Sequence, residues 1–246
     1  LDLEKNMRNA TKNACEEFEV CYQPIIDITK PGNPCVGAEA LLRWNSDELG
    51  MIAPTEFIPL AEYLGLINPI GEFVLKEACR SCKYWNDMGR PDYKVNVNLS
   101  VVQLLQNDVV DTIQSVIRET GILPENLTLE VTESLAINDM TRMKQILADI
   151  RNLGVKVALD DFGTGYSSLN HIREMPLDVI KIDRCFVIDI GKDEFQTAFV
   201  KMVAELASAI SVIVCVEGVE TEEQYGAVKD TKIQLIQGFY FGRPMH

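Results

Sequence analysis

The chain alternates between segments that predict β-strands and segments that predict α-helices along almost its whole length. The strand-like segments are short and are apolar or alternate with period two, whereas the helix-like segments carry apolar residues at spacings of three and four. The strand-like segments are residues 18–28, 35–44, 95–99, 127–131, 155–159, 179–182, 212–216 and 233–236. Repeated βα units of about 30 residues favour an α/β fold of the (β/α)8 barrel type over an open, doubly wound sheet.

The helix-like segments separate these strands and leave no obvious domain boundary. They are residues 54–64, 71–88, 101–120, 140–153, 167–174, 195–210 and 221–229. No linker or low-complexity stretch divides the pattern, so residues 16–246 are expected to form one barrel. Residues 1–15 are polar, and we expect them to form a helical connector to an upstream domain.

An acidic pair, Asp160 and Asp161, follows the apolar run of residues 155–159 and precedes a glycine-rich turn. Two adjacent carboxylates at a strand end repel each other unless positive charge lies beside them, and a divalent metal is the usual source of that charge. The glycines of the turn would let the backbone bend sharply and approach a ligand. The alternative interpretation is a polar turn in which Ser167 or Ser168 caps a helix.

Acids, amides and one lysine recur at or just after the ends of the predicted strands, except for the first of them, Glu39, which lies within the second strand-like segment. In chain order they are Glu39, Asn98, Glu130, Glu133, Asp160, Asp161, Lys181, Asp183, Glu217, Glu220 and Gln237. In a barrel the carboxyl ends of the strands converge on one face, where catalysis occurs. Buried carboxylates are costly without cations, and several oxygen ligands suit Mg²⁺ or Mn²⁺ rather than zinc.

Each of these residues also has an ordinary structural explanation. Glu39 could form an ion pair with Arg43, and Lys181 could pair with Asp183. Glu130 could lie on the outer face of its strand. The coincidence of so many polar side chains at successive strand ends favours a shared site over separate explanations.

Composition narrows the classes of partner. The net charge of −14 argues against duplex nucleic acid and anionic membranes as general partners. No apolar run reaches the roughly 18 residues that a membrane span requires. Seven cysteines, most of them in apolar contexts, are typical of reduced core residues, so we expect a cytoplasmic domain. Because the chain begins with Leu1 rather than Met, we expect this domain to be cut from a longer protein, which could itself be membrane-anchored. Cys79 and Cys82 form a CxxC pattern inside a helical stripe, which favours packing over zinc or redox chemistry.

A series of short motifs runs along the chain from about Phe18 to Pro244. Glu39-Ala40-Leu41 is followed by Leu42-Arg43-Trp44. The other motifs are Tyr22-Gln23-Pro24, Val97-Asn98-Leu99-Ser100, Glu130-Val131-Thr132-Glu133-Ser134, Asp160-Asp161, Lys181-Ile182-Asp183-Arg184, Glu217-Gly218-Val219-Glu220-Thr221 and Gln237-Gly238. This ordered series resembles the EAL domain family of cyclic di-GMP (c-di-GMP) phosphodiesterases, in which Glu-Ala-Leu is the signature.

The resemblance implies a TIM-like barrel whose first strand is antiparallel to the rest. It also implies metal-dependent hydrolysis of c-di-GMP to linear pGpG by a water that two Mg²⁺ or Mn²⁺ ions activate. The implied ligands of one metal are Glu39, Asn98, Glu130 and Asp160. Asp160 and Asp161 are associated with the second metal, with Glu217 nearby through water.

The resemblance assigns further roles. Lys181 is expected to contact the nucleophilic water or the metal cluster, and Gln237 to lie near that water and the substrate. Glu133 resembles the residue that anchors the loop of residues 161–168. Arg43 resembles a phosphate-contacting arginine. Other candidates for substrate contact are Gln23, Asp183 and Phe241.

A homodimer formed through residues 167–175 and an upstream sensor or GGDEF-type domain are also implied by the resemblance. The main alternative is a catalytically silent receptor that binds c-di-GMP without cutting it. A scaffold with a vestigial pocket, or an unrelated acidic barrel such as a glycosidase that uses Glu130 and Glu217, is a further alternative. The chain keeps every implied ligand, which favours the enzyme.

Overall fold

A computed structural model describes residues 2–133, 140–165 and 173–246, and its central feature is a closed barrel of eight strands. The strands in chain order are β1 (Phe18–Asp27), β2 (Cys35–Ser46), β3 (Gly50–Ile52), β4 (Lys94–Asn98), β5 (Leu127–Thr132), β6 (Lys156–Phe162), β7 (Val179–Ile182), β8 (Ile213–Val216) and β9 (Leu235–Gln237). The short strand β3 forms a hairpin with the end of β2 and adds to the eight barrel strands.

The barrel closes through its first strand. β1 pairs antiparallel with both β2 and β9, while β2 and β4 to β9 pair with their neighbours in parallel. This confirms the expected barrel with an antiparallel first strand. All the parallel strands therefore direct their carboxyl ends to the same face.

Helices cover the outside of the barrel. They are α1 (Asp2–Lys12), α2 (Pro54–Tyr63), α3 (Ile67–Asp87), α4 (Val101–Leu104), α5 (Val109–Thr120), α6 (Met140–Asn152), α7 (Glu194–Ala209) and α8 (Glu222–Lys229). Their apolar faces pack on the outward-facing strand residues and form the main core cluster, in which Leu129, Ile150 and Ile180 are fully buried. This burial is the principal source of stability for such a fold.

A second core cluster lies between β2 and helices α1 to α3. Its centre is Trp44, which stacks on Phe18 at a centroid distance of 5.4 Å and meets Phe57 edge-on at 5.6 Å. Met7 of α1 is fully buried in the same cluster. The N-terminal segment is therefore helical and packs on the barrel, and its role as a connector stays a prediction.

The helix expected over residues 101–120 is two helices, because the polar stretch Gln106-Asn107-Asp108 interrupts it. Asn and Asp side chains compete for backbone hydrogen bonds and so favour turns. Ser100 caps α4 by accepting from the Val102 amide at 3.1 Å, within a capping box that includes Gln103. Most of the helix expected over residues 167–174 lies outside the described residues. No helix in the described ranges is both long and apolar enough to cross a bilayer.

Candidate functional site

The ammonium group of Lys181 lies at the centre of the predicted constellation. The Lys181 side chain is fully buried on β7, and its Nζ is within ion-pair distance of four carboxylates. The distances are 3.2 Å to Glu39 Oε2, 2.7 Å to Glu130 Oε2, 3.2 Å to Asp160 Oδ1 and 2.6 Å to Glu217 Oε1. The barrel thus gathers acids from four separate strands, or the residue that follows one, around one cation.

Amide side chains orient these carboxylates. Asn98 Nδ2 donates to Glu39 Oε1 at 2.7 Å, and Gln237 Nε2 donates to Glu39 Oε2 at 2.7 Å. Gln237 Nε2 also lies 3.0 Å from Gln23 Oε1, so Gln23 joins the same network. Both carboxylate oxygens of Glu39 are therefore fixed by donors from other strands.

Asp160 and Asp161 both reach the site because β6 is irregular at this point. Adjacent residues of a regular strand direct their side chains to opposite faces. Between Leu159 and Phe162 the register with β7 shifts, and Asp161 has a left-handed backbone with φ of 55°. A bulge of this kind re-aims a side chain. As a result, oxygens of Asp160, Asp161 and Glu217 lie within 4.8 Å of one another.

The charges of the cluster are unbalanced. Burial raises the pKa of Glu217 to about 8, against the lowering effect of Lys181. Burial, followed by the charge of Asp160, raises the pKa of Asp161 to about 6. Burial and the charge of Glu39 hold the pKa of Glu130 well above its usual value. One ammonium therefore does not offset all of these carboxylates, and the site favours protons or additional cations.

Lys181 and Glu39 keep their charged forms because of their neighbours. Burial alone would lower the pKa of Lys181, but the surrounding carboxylates outweigh it and raise the pKa well above its usual value. Burial alone would raise the pKa of Glu39, but Lys181, Gln237 and Asn98 together lower it. Glu39 is thus a charged carboxylate held in place by hydrogen bonds.

The arrangement fits divalent cations. The donor set is carboxylate oxygen with one nearby asparagine, which is the chemistry that Mg²⁺ and Mn²⁺ prefer. Among the described residues, the buried Gln237 Oε1 has no hydrogen-bond partner, and the buried Asp160 Oδ1 has only its 3.2 Å ion pair with Lys181 Nζ. Buried polar atoms are normally satisfied, so oxygens of this kind point to a missing partner.

Glu133 contacts the glycine-rich turn as expected for a loop anchor. Its Oε2 accepts from the backbone amides of Gly163 and Gly165, each at 3.0 Å. A Cβ at Gly165 would lie 3.0 Å from the Glu133 carboxyl carbon, so the turn and the acid are closely fitted. The Ser167 and Ser168 positions lie outside the described residues.

Two cavities adjoin the cluster and share Leu41 in their walls. One, of about 280 Å³, is lined by Gln23, Glu39, Asp160, Glu217 and Gln237, with Phe239 at its edge. The other, of about 500 Å³, is mostly apolar and carries Arg43, Asn98 and Ser100. An acidic pocket and an apolar pocket therefore lie side by side at the carboxyl ends of the strands.

Two predicted substrate contacts have other neighbours in the structure. Phe241 does not line the acidic cavity, because its ring packs edge-on against Tyr225 and Tyr240 at 5.6 and 4.9 Å. Asp183 caps a short 3-10 helix by accepting from the Cys185 amide at 2.8 Å. Within the described ranges, the ion pairs of Lys181 are with Glu39, Glu130, Asp160 and Glu217 and do not include Asp183.

Comparison with known proteins identifies the family. A family model described as the EAL domain matches residues 5–244. The chain belongs to the EAL domain family. It is 39% identical over its full length to MucR of Pseudomonas aeruginosa, a bifunctional diguanylate cyclase/cyclic di-GMP phosphodiesterase. It is 33% identical, also over its full length, to the cyclic di-GMP phosphodiesterase NbdA of the same organism.

A solved structure gives the same assignment for the EAL barrel. The c-di-GMP complex of the PaMucR phosphodiesterase superimposes with a TM-score of 0.93 at 39% identity, covering 100% of this chain and 98% of that one. The chain spans only 35% of MucR and 31% of NbdA, which is about a third of the length of these curated relatives.

Some residues of the EAL site were not predicted from the sequence. Asn96 is buried and donates from Nδ2 to Glu130 Oε1 at 2.7 Å. Its period-two relation to Asn98 on β4 was a usable signal, because residues two apart face the same side of a strand. Phe239 and Arg184 also line the acidic cavity, but the sequence gave no such signal for them. They lie beyond strand ends, where periodicity no longer specifies direction.

The CxxC pair lies outside the EAL site. Cys79 and Cys82 are fully buried in α3, and burial raises the pKa of each thiol to about 12. Thiolates are the reactive and metal-binding form, so these side chains act as apolar packing groups.

Proposed function

We propose that this domain is a metal-dependent phosphodiesterase that hydrolyses one phosphodiester bond of c-di-GMP to give linear pGpG. The observation that carries the proposal is the convergence of four carboxylates on the buried ammonium of Lys181. Such a cluster is costly as a purely structural feature, because several charges are removed from water with one counter-charge. It is well suited to hold cations and a phosphate diester.

Two divalent cations, Mg²⁺ or Mn²⁺, fit the donor set. Glu39, Asn98, Glu130 and Asp160 would hold one of them. Asp160 and Asp161 would hold the other, with Glu217 close by. When bound, such ions lower the pKa of water toward about 7 and offset negative charge on the phosphoryl oxygens.

The side chains around the metal ligands have distinct tasks. Lys181 keeps the acids close together and adds a fixed positive charge near the phosphorus. Gln237 and Asn98 hold the two oxygens of Glu39 in place, so the ligand does not need to reorganise during the reaction. The anchor contact from Glu133 fixes the turn that follows Asp161.

The neighbouring cavities fit the two chemical parts of a cyclic dinucleotide. The acidic cavity, with Gln23, accepts the phosphate diester and its cations. The apolar cavity of about 500 Å³ accepts a base, and Arg43 at its wall is placed to contact a phosphate. Asp183 and Phe241 contribute less directly, through the 3-10 helix and the Tyr225–Tyr240 packing.

The family relatives agree with this proposal. MucR and NbdA carry c-di-GMP phosphodiesterase activity in their names, and PaMucR is described in complex with c-di-GMP. By the same resemblance we propose a homodimer and a longer cytoplasmic or membrane-anchored parent with an upstream sensor or GGDEF-type domain.

The test is chromatography of c-di-GMP after incubation with the domain and Mn²⁺ or Mg²⁺. We expect conversion to pGpG that EDTA abolishes. Glu39→Ala should lose turnover while circular dichroism shows an intact fold. Glu125→Ala is the matched control, because Glu125 is exposed and precedes β5 at the opposite end of the barrel.

Each result has a definite meaning. Wild-type turnover in Glu39→Ala would refute the assigned site. If the substrate stays intact, calorimetric titration with c-di-GMP separates two outcomes. Binding without hydrolysis would identify a receptor, and lack of binding would contradict the substrate assignment.

A further inference from the structure

The barrel contains a second cavity at the end opposite to the acidic cluster. It has a volume of about 470 Å³. Its walls include the first residues of four parallel strands, which are Lys94, Val179, Ile213 and Leu235. The cavity therefore opens at the amino ends of the strands, whereas the acidic cluster lies at their carboxyl ends.

The cavity exists because the residues in this half of the barrel are small. Barrel interiors are normally filled by layers of large branched side chains. Here Gly37, Thr128 and Cys215 contribute little volume to the walls. A Cβ at Gly37 would overlap the carbonyl oxygen of Lys94, so the close approach of β2 and β4 excludes a larger side chain there.

The walls and the mouth of this cavity differ in chemistry. The walls are apolar, with Ile25, Val36, Val179 and Leu235 packed around the buried Cys215. Ile213 at the mouth is 43% exposed, which is unusual for a large apolar residue on a barrel strand. The pocket thus has the size and the mainly apolar lining of a small-molecule site.

Charged groups surround the mouth. Asp27 and Lys30 form an ion pair of 3.2 Å and so offset each other. Among the other residues that line the cavity, Arg90 and Lys94 carry two positive charges and Asp92 carries one negative charge, which leaves an excess positive charge. Arg90 lies 5.2 Å from the centre of the Tyr93 ring, and Lys94 Nζ donates to the Glu125 carbonyl oxygen at 3.0 Å, so neither cation is paired with a carboxylate in these contacts. This local sign is opposite to the net charge of −14 of the whole chain.

We propose that this lower-barrel cavity binds an apolar monoanion, such as an aliphatic carboxylate, with its chain between the barrel walls and its head group at Arg90 and Lys94. The apolar walls remove the chain from water. The cationic mouth selects the anionic head over a cationic one. The cavity lies at the other end of the strands from the acidic cluster, and Asn96, which lines the cavity and donates to Glu130, is a residue that the two sites share.

The test is calorimetric titration of the metal-free domain with octanoate and with octylammonium, which share a chain and differ in charge. We expect octanoate to bind at one site and octylammonium to bind at least tenfold more weakly. Lys94→Glu should reverse this preference. Ile213→Glu should weaken octanoate at least tenfold, because it places a carboxylate in the mouth.

Ile188→Glu is the matched control, since Ile188 is 51% exposed and lies after the carboxyl end of β7. It should bind octanoate like the wild type. Val179→Trp, which fills the cavity, should abolish binding. If Val179→Trp does not fold, Ile213→Glu still tests the proposal, because Ile213 is partly exposed and its substitution leaves the barrel core unchanged. No octanoate binding by the wild type, equal binding of the two probes, or unchanged binding in Ile213→Glu would overturn the proposal.

Discussion

Replacing Lys181 by methionine tests whether one buried ammonium holds the acidic cluster together. Methionine has a similar length and flexibility, so the substitution removes the charge without creating a large void. In the metal-free protein, Glu39, Glu130, Asp160 and Glu217 would then face one another without their shared cation. The free energy of unfolding should fall sharply as a result.

The size of the effect follows from the burial of the group. Removing one partner of a buried ion pair costs about 3–5 kcal/mol. For a domain of this size, each kcal/mol lowers the melting temperature by about 2–4 °C, so we expect a fall of roughly 6–20 °C. Protonation of the carboxylates provides partial relief. The carboxylates that face one another in folded Lys181→Met hold protons more tightly than they do in the unfolded chain. The loss of unfolding free energy relative to wild type should therefore become smaller as pH falls.

The assay is thermal unfolding of wild type and Lys181→Met in EDTA and again in saturating Mn²⁺. Bound cations replace the missing positive charge, so Mn²⁺ should raise the melting temperature of the variant more than that of the wild type. Lys156→Met is the matched control. Lys156 pairs with Asp178 at 3.4 Å and is 42% exposed, and exposed pairs contribute only about 0–1 kcal/mol.

Two results would refute the reasoning. One is a melting temperature of Lys181→Met in EDTA that matches the control variant. The other is an equal response of wild type and Lys181→Met to Mn²⁺. Either result would mean that the acids do not depend on the ammonium for their charge balance.

Three further predictions address the site and the core. Asn96→Leu removes the hydrogen-bond donor to Glu130 and should lower Mn²⁺ affinity or kcat about 10–100-fold. Metal titration and turnover measure the two quantities, and unchanged values would exclude a positioning role for Asn96. Mn²⁺ affinity should decrease as the pH is lowered from about 8 to about 6, because Glu217 and Asp161, with pKa values of about 8 and 6, must lose protons to bind metal. An Mn²⁺ affinity that does not change over this pH range would contradict the prediction. Phe57→Ala empties a fully buried site beside Trp44 and should cost about 3–5 kcal/mol in urea unfolding while leaving Mn²⁺ affinity intact; a small loss would mean that the second core cluster is loosely packed.

Much of the fold could be predicted because local patterns specify strands and helices. Alternating and apolar runs predicted every barrel strand to within a few residues. The acids near the ends of these strands indicated which end of the barrel carries the site. The hairpin strand β3 was missed because Gly50–Ile52 is too short to show a period. The single helix expected over residues 101–120 was wrong because a polar turn inside an otherwise helical stretch is a weak local signal.

The candidate site was predicted as a set of residues but not as an arrangement. Regular strand geometry would direct Asp160 and Asp161 to opposite faces, and only the bulge against β7 brings both to one point. Phe241 was predicted as a substrate contact, yet its ring packs against Tyr225, and Phe239 lines the acidic cavity instead. Local pattern carries no information about direction once a strand has ended.

The sequence by itself determined the α/β alternation, the family and the chemical types gathered at the strand ends, because these depend on residues close together in the chain. Only the tertiary structure decided that four acids share Lys181 and that Gln237 bonds to Glu39 across a separation of 198 positions. Such contacts are set by the register of parallel strands and by closure of the barrel through antiparallel β1. The same closure leaves the lower-barrel cavity open between small residues from distant strands, which is a feature of shape that local sequence patterns do not encode.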